Sequence, residues 1–203
     1  MSVKGTIHSS IGSFLCRIKL IYWNTRDVLF PPKEEAVLFV THPDDDTLFF
    51  HTFIKDHRPY VCLMTAGFSV NRLSCFSRNM KHYGVKFRAY PMQTNDNREK
   101  LLYRHAKTVF RQGNYRLCVT HNSEGEYGHS MHARVHQAVV MAAKENSCPV
   151  KVPVSKENLS NFPLKPELAA EKKRILETVY ESQAFVLDNW PDWIENEHLT
   201  ALN

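Results

Sequence analysis

The sequence predicts an α/β fold in a single domain, with a mostly parallel sheet and helices on both faces. From Glu35 onward, short apolar runs rich in β-branched residues alternate with stretches of helical periodicity, a pattern typical of strands joined by crossover helices. The length of 203 residues corresponds to one domain. Hydrophobic residues make up 43% of the chain and charged residues 23%, so the chain can bury a core.

Four strands and five helices are predicted after residue 35. The strands cover residues 36–41, 60–65, 85–90 and 115–120. The helices cover residues 47–56, 71–83, 97–111, 129–144 and 166–183. Gly84 is expected to end the second helix, and Pro166 suits the first turn of the last one. The sheet is Rossmann-like, but no G-x-G-x-x-G motif follows its first strand, so the usual dinucleotide-binding loop is missing.

Residues 1–34 form a lead segment of uncertain role ahead of the domain, which spans residues 35–203. The apolar and basic run at 14–23 fits a packed terminal element, and it also fits a helix that lies on a membrane surface or binds a partner. Pro31 and Pro32 end the segment in either case. No apolar stretch reaches the roughly 18 residues of a spanning helix, and no signal peptide is recognisable, so we expect a cytoplasmic protein, with peripheral membrane contact as the alternative.

Composition limits the other functions of the chain. The five cysteines are an odd number without a C-x-x-C pair, so they are expected to be small buried hydrophobes in a reducing compartment. The formal net charge of +5 comes from scattered basic residues. Nucleic-acid binding is therefore not expected, and the charge indicates at most a mild preference for anionic substrates.

A first polar cluster, His42-Pro43-Asp44-Asp45-Asp46, directly follows the first predicted strand. Ligands of open α/β sheets bind at the carboxyl ends of the strands, where this cluster lies. Adjacent carboxylates raise one another's pKa, and a metal ion removes that cost. The alternative is an acidic turn in which an aspartate caps a helix that begins at Thr47, and for Asp46 this alternative stays open.

A second cluster covers residues 121–136 and follows the strand that ends at Thr120. Four of the eleven histidines of the chain lie in it. If a helix begins near Gly128, His129, His132 and His136 share one face of it. His136 also fits an ordinary core or surface histidine. The two clusters can meet at the same edge of the sheet.

Together the clusters offer two imidazoles and one carboxylate, which is the donor set of a catalytic zinc site with one open position. The H-E-x-x-H pattern is absent, so a conventional zinc metalloprotease is excluded. Asp44 is then a candidate base for the activation of water, and a further histidine can stabilise an oxyanion and protonate a leaving amine. These groups indicate hydrolysis of an amide or an ester.

Two motifs carry a specific resemblance. His42-Pro43-Asp44-Asp45 and Gly125-Glu126-Tyr127-Gly128-His129-Ser130-Met131-His132, in this order, resemble the LmbE/PIG-L family of zinc-dependent de-N-acetylases. Further matches are Thr65-Ala66-Gly67, Arg72 and Tyr180-Glu181-Ser182-Gln183, so the resemblance spans roughly residues 35–190.

The resemblance implies a role for each matching residue. It implies one zinc ion, with other divalent transition metals as alternatives, bound by His42, Asp45 and His132. Asp44 is the implied general base, and His129 would protonate the departing amine with Tyr127 as its oxyanion partner. Arg72 and Gly67 are the implied substrate contacts. The implied reaction removes the N-acetyl group from an N-acetylglucosamine-type sugar or glycoconjugate, and releases acetate.

The chain departs from the family pattern at two positions. Asp46 stands in place of the usual glutamate, which predicts a weaker hydrogen bond behind the metal ligands. Cys75 stands where a glutamate is common, which predicts a less firmly held Arg72. Two rival functions stay open: a metal-dependent amidase or esterase that acts on a non-sugar acyl group, and an inactive relative that only binds glycans.

Overall fold

The computed structural model describes residues 32–66, 69–90, 92 and 99–202, together with residues 18, 22 and 26. A six-stranded sheet forms the centre of this part of the chain, with the strand order β3-β2-β1-β4-β5-β6. The strands are β1 (Ala36–Val40), β2 (Tyr60–Leu63), β3 (Phe87–Ala89), β4 (Leu117–Val119), β5 (Val150–Pro153) and β6 (Leu199–Ala201). Strands β1 to β5 are parallel, whereas β6 pairs antiparallel with β5. The predicted α/β class with a mostly parallel sheet is confirmed.

Helices follow most of the strands. They are α1 (Asp45–Leu48), α2 (His51–His57), α3 (Val70–Tyr83), α4 (Glu99–Gln112), α5 (Ser130–Glu145), α6 (Lys156–Leu159), α7 (Pro166–Thr178), α8 (Val186–Asn189) and α9 (Pro191–Glu195), with a 3₁₀ turn at Glu181–Gln183. The single helix predicted at 47–56 is wrong, because the chain turns at Phe49 and Phe50 and forms two helices. Both phenylalanine rings are buried, so this break is set by packing.

Strand β1 is buried on both faces, and its side chains alternate between two cores. Ala36, Leu38 and Val40 face the core under α1, α2, α3 and the helices α7 to α9. Val37 and Phe39 face the core under α4 and α5. A continuous apolar run is the expected pattern for a central parallel strand covered on both sides. The Rossmann-like arrangement predicted from the sequence is therefore confirmed.

A buried ion pair between Glu197 and Lys172 ties the segment before β6 to the first turn of α2. Glu197 accepts hydrogen bonds from the backbone N–H groups of Thr52 (2.8 Å) and Phe53 (3.4 Å). Its second oxygen accepts from Nζ of Lys172 at 3.1 Å. The first turn of α2 has no side-chain cap of its own, so a residue about 145 positions away supplies the missing acceptor.

The lead segment 1–34 lies largely outside the described residues, so its proposed packing or membrane role stays a prediction. Residues 18, 22, 26 and 32–34 of this segment are described, and Arg26 contacts the sheet. Nη2 of Arg26 donates to the carbonyl of Phe87 (3.0 Å) and to the hydroxyl of Tyr60 (3.3 Å). These acceptors belong to the first residues of β3 and β2. They therefore lie at the amino-terminal ends of the strands, opposite to the carboxyl ends that the polar clusters follow.

Two further expectations concern the described residues. Cys62, Cys75, Cys118 and Cys148 are buried free thiols, as predicted for small hydrophobes. None of the helices that the structure describes combines the length and the hydropathy that a transmembrane segment requires.

Candidate functional site

The two polar clusters meet where β1 and β4 lie side by side. The chain leaves β1 toward β2 on one side, whereas β4 continues to β5 on the other, so a crevice opens between their carboxyl ends. The backbone N–H of Thr41, at the end of β1, lies 3.0 Å from Nε2 of His121, at the end of β4. Residues 80 positions apart are thus in contact, as the sequence predicts for the two clusters.

The loop after β1 is bent tightly around Asp45. Oδ2 of Asp45 accepts hydrogen bonds from the N–H groups of His42 (2.6 Å) and Thr41 (3.1 Å). Asp44 adopts φ 132° and ψ −32°, a conformation that favours glycine. Such a conformation in a non-glycine residue costs about 1–3 kcal/mol and is concentrated at functional sites. The loop therefore keeps a strained residue next to a carboxylate that the backbone holds in place.

The loop after β4 also depends on left-handed backbone conformations. Gly125 has φ 73°, and a Cβ at this position would lie 2.3 Å from the carbonyl oxygen of His129. Glu126 has φ 58° although it is not glycine. Oδ1 of Asn122 accepts from the backbone N–H of Glu126 (2.9 Å) and of Glu124 (3.1 Å). The Gly-Glu-Tyr-Gly turn thereby places Glu126 inside the protein and His129 at the start of α5.

Three donor atoms form a compact buried triangle. Nδ1 of His42 lies 3.1 Å from Nε2 of His132 and 3.5 Å from Oδ2 of Asp45. The third side, from His132 Nε2 to Asp45 Oδ2, is 3.4 Å. Ligand atoms about 2.05 Å from a tetrahedral ion are separated by about 3.3 Å. The triangle therefore has the spacing of neighbouring ligands, and this buried His/Asp group can hold a metal ion.

Two more histidines border the same group. His129 forms a possible ligand set with His42 and His132, and His121 forms one with Asp45 and His132, with all donor atoms of each set within 4.8 Å of one another. His129 is the N-cap of α5, and its Nδ1 accepts from the backbone N–H of Met131 at 3.2 Å. Nε2 of His129 is therefore the ring nitrogen that carries the proton in the neutral side chain.

A second layer of the site, His121 and Glu126, was not predicted from the sequence. Oε2 of Glu126 lies 2.7 Å from Nδ1 of His132 and 3.0 Å from Nδ1 of His121, and these three side chains are fully buried. The sequence did contain one indication of the role of His121, because this histidine follows β4 in the way that His42 follows β1. Nothing local indicated that Glu126 is buried, because glutamate is mostly exposed.

The two imidazoles that contact Glu126 differ in charge at pH 7. Burial opposes a charge on His121, but Glu126 and Asp45 outweigh it and raise the pKa of His121 to about 9. Burial alone would raise the pKa of Glu126, but the charge of His121 and the hydrogen bonds from both imidazoles lower it to about 2. Burial and the charge of His121 lower the pKa of His132 to about 4. His132 is therefore neutral at pH 7, as a metal ligand must be.

Asp44 and Arg72 lie side by side at the opening of the site. Burial and the neighbouring charge of Asp45 raise the pKa of Asp44 well above its usual value, against the opposing effect of Arg72. Nη2 of Arg72 lies 3.7 Å from Oδ1 of Asp44 and 3.4 Å from the carbonyl oxygen of Pro43. Cys75 is buried and contacts Arg78, so Arg72 is held by Asp44 and Pro43 and not by residue 75.

The capping interpretation of Asp46 is wrong. Asp46 lies inside α1, and its carboxylate accepts from Nδ2 of Asn79 (2.6 Å), the hydroxyl of Tyr180 (2.8 Å) and Oγ1 of Thr47 (3.1 Å). The shorter aspartate therefore keeps a full set of hydrogen bonds and ties α1 to α3 and to the segment after α7. Since burial is the largest influence, the pKa of Asp46 is raised to about 6 despite these bonds.

His136 does not join the donor group. Its Nδ1 donates to the backbone carbonyl of His121 at 2.7 Å, so its role is to hold the end of β4. Gly67, the second implied substrate contact, lies outside the described residues.

A cavity of about 320 Å³ opens in front of the donor triangle. Its polar end is lined by Asp44, Arg72 and His129. Its outer wall is apolar. The ring of Trp190 stacks on that of Tyr127, with the centroids 4.0 Å apart, and Phe185 beside it is 50% exposed. The cavity has the size of a small-molecule site with a few polar groups at one end.

The chain matches no protein-family model and no curated protein sequence. Among solved structures it is similar to the crystal structure of GalB, the 4-carboxy-2-hydroxymuconate hydratase from Pseudomonas putida KT2440. The TM-score is 0.59 at 12% sequence identity, and the match covers 84% of this chain and 96% of that one. The likeness supports the α/β fold over nearly the whole length of the other protein.

Proposed function

We propose that the protein is a zinc-dependent hydrolase that removes the N-acetyl group from an N-acetylglucosamine-type amino sugar or glycoconjugate. The observation that carries the proposal is the donor triangle of His42, Asp45 and His132, located next to a strained Asp44 and in front of a cavity. The LmbE/PIG-L-like motifs supply the reaction type, because the same residues match the zinc ligands and the base of that family.

The donor set fits zinc. Two imidazole nitrogens and one carboxylate oxygen are ligands that zinc accepts, and three protein ligands leave one position open in catalytic sites. When bound, zinc supplies Lewis acidity, which polarises a carbonyl group and makes a water molecule more acidic. His42, Asp45 and His132 would hold it, and the remaining chemistry belongs to residues around them.

Asp44 is the proposed base. Its Oδ1 is buried without a hydrogen-bond partner, and its raised pKa makes it a stronger base than an exposed aspartate. Arg72 lies 3.7 Å away and favours the ionised form. Asp44 can therefore accept the proton of a water molecule as its oxygen adds to the acyl carbon.

His129 and Tyr127 are the proposed hydrogen-bond donors to the developing oxyanion. Because Nδ1 of His129 accepts the N–H of Met131, its Nε2–H is available to the cavity. Burial raises the pKa of Tyr127 above its usual value, so its hydroxyl stays protonated and can donate to the developing oxyanion. As the carbon–nitrogen bond breaks, the amine takes the proton that Asp44 accepted from water, because a neutral His129 that gave up its Nε2 proton would become an imidazolate. The products are acetate and a free amino sugar.

The cavity walls suit a sugar with an attached carrier. Arg72 can donate to a hydroxyl or an anionic group, and the Tyr127–Trp190 stack provides an aromatic face for the apolar side of a sugar ring. We therefore place the amino sugar at the polar end and its carrier toward Phe185. The proposal includes a cytoplasmic location, a small-molecule substrate and no nucleic-acid partner.

The test is acetyl release by the zinc-loaded protein, followed by mass spectrometry. We expect N-acetylglucosamine conjugates to lose one acetyl group, and chelation of the metal to stop the reaction. Release only from N-acetyl amino acids or simple esters would replace the sugar substrate with a non-sugar acyl group. No release from any of these substrates by a protein that binds zinc would contradict the proposal and favour a glycan-binding role.

A further inference from the structure

We propose that Glu126 is a positioning residue that orients two of the three candidate zinc ligands, His132 directly and Asp45 through His121. This inference rests on the proposed function only in taking the donor triangle as the zinc site. It concerns the affinity for the metal, which can be measured without any substrate.

The direct contact decides which nitrogen of His132 is free. A carboxylate only accepts hydrogen bonds, so Nδ1 of His132, 2.7 Å from Oε2 of Glu126, must carry a proton. The lone pair of the neutral ring is then on Nε2, which lies 3.1 Å from Nδ1 of His42 and 3.4 Å from Oδ2 of Asp45. Glu126 therefore turns the binding nitrogen of His132 toward the other two ligands.

The indirect contact runs through His121. The same Oε2 of Glu126 lies 3.0 Å from Nδ1 of His121, and the opposite nitrogen of that ring lies 3.3 Å from Oδ2 of Asp45. The ring of His121 also stacks on that of His132, with the centroids 4.0 Å apart. One carboxylate oxygen thus contacts two stacked imidazoles, whose planes are inclined by 26°, and each imidazole reaches the donor triangle by its far nitrogen.

The loop is built around this carboxylate. The other oxygen of Glu126 accepts from the backbone N–H of Asn122 at 2.8 Å, so both oxygens are occupied. Glu126 also adopts a left-handed conformation that non-glycine residues rarely use. A strained backbone and a fully buried carboxylate both cost free energy of folding, and such strain is concentrated at functional sites. Here the groups that Glu126 positions are candidate metal ligands.

The test is the zinc affinity of Glu126→Gln, measured by competition with a chromophoric chelator. A glutamine amide cannot accept at both ends, so it either loses the Asn122 contact or forces His132 to protonate Nε2. We expect zinc to bind roughly 10- to 100-fold more weakly, as is common when a partner behind a metal ligand is removed. The visible absorption of the Co²⁺-substituted variant should also change, because the ligand field around the ion changes.

Glu124→Gln is the matched control, since Glu124 lies in the same turn with an exposed side chain and undergoes the same chemical change. It should bind zinc as tightly as the wild type. His121→Gln removes the indirect contact and the ring stack on His132 but keeps the direct contact of Glu126 with His132, so it should weaken zinc binding less than Glu126→Gln.

A folded Glu126→Gln protein that binds zinc within twofold of the wild type would overturn the inference. If Glu126→Gln does not fold, Glu126→Asp replaces it, because it keeps the charge but shortens the side chain by one methylene. Unchanged zinc affinity in that variant would overturn the inference equally. Failure of the deacetylase proposal has another signature, since the wild type would then bind zinc without releasing acetate.

Discussion

Nε2 of His132 lies 3.1 Å from Nδ1 of His42, although the two residues are 90 positions apart in the chain. Since Glu126 takes the proton-bearing nitrogen of His132, the two facing nitrogens need a proton or a cation between them. Asp45 completes the group with a negative charge. This relationship joins the two polar clusters of the sequence into one site.

Asp44→Asn is predicted to separate catalysis from metal binding. The carboxamide cannot accept the proton of water, so kcat should fall by about 10²–10⁴-fold. Zinc affinity should change little, because Asp44 is outside the donor triangle. Acetate release and zinc titration of the same preparation check both parts, with Asp56→Asn as an exposed control. A variant with the full wild-type rate would show that Asp44 is not the base.

The strained backbone at residue 44 predicts that Asp44→Gly is more stable than Asp44→Ala. Both variants lose the carboxylate, but only glycine adopts φ 132° without strain. We expect the free energy of unfolding of the metal-free glycine variant to be higher by about 1–2 kcal/mol. Urea denaturation of the two proteins measures this difference. Equal stability would mean that the loop relaxes around alanine.

His51 predicts a loss of stability in mild acid. Its side chain is fully buried, and burial with the charge of Lys172 lowers its pKa from 6.5 to about 4. The folded protein therefore binds the proton less readily than the unfolded chain. The neutral, buried His51 therefore contributes about 3 kcal/mol to the free energy of unfolding. This stabilisation is complete above pH 6.5 and is lost as the pH falls toward 4.

The measurement for His51 is the free energy of unfolding between pH 7 and pH 4. His51→Gln should show a shallower decrease than the wild type. His82→Gln is the control, since the side chain of His82 is 52% exposed. Identical pH profiles of His51→Gln and the wild type would exclude His51 as the source.

Phe185→Ala is predicted to weaken the binding of substrates with an apolar carrier. Phe185 is 50% exposed at the outer wall of the cavity, so a carrier can cover its ring. We expect KM for the benzyl glycoside of N-acetylglucosamine to rise roughly tenfold while kcat is kept. The methyl glycoside should be unaffected. Met141→Ala, an exposed apolar position away from the cavity, is the control, and an equal effect on both glycosides would contradict this placement.

The central sheet could be predicted because buried parallel strands have a strong local pattern. The run at Ala36–Val40 is apolar throughout, and the polar cluster that follows marks its carboxyl end. Strands β5 and β6 were missed, since they are short, carry Lys151 and Thr200, and lie toward the edge of the sheet. A local pattern does not distinguish such strands from loops.

The candidate ligands could be predicted from the sequence, but the residues that hold those ligands in position could not. His42 and Asp45 stand out because chemically distinctive residues follow the first strand, and the resemblance to the LmbE/PIG-L family singles out His132 among the histidines of the second cluster. Glu126 acquires its role only when folding brings His121 and His132 to its carboxylate. The anchoring of Asp46 by Asn79 and Tyr180 is likewise a tertiary contact without a local signal.

The most direct test of the shared zinc site is the zinc content of the purified, zinc-loaded wild type and of His132→Ala, measured by elemental analysis. His82→Ala is the control. The donor triangle predicts one zinc ion per chain in the wild type and in His82→Ala, and loss of both zinc and acetate release in His132→Ala. Stoichiometric zinc retained by His132→Ala, or none in the wild type, would contradict the claim that His42, Asp45 and His132 share one ion.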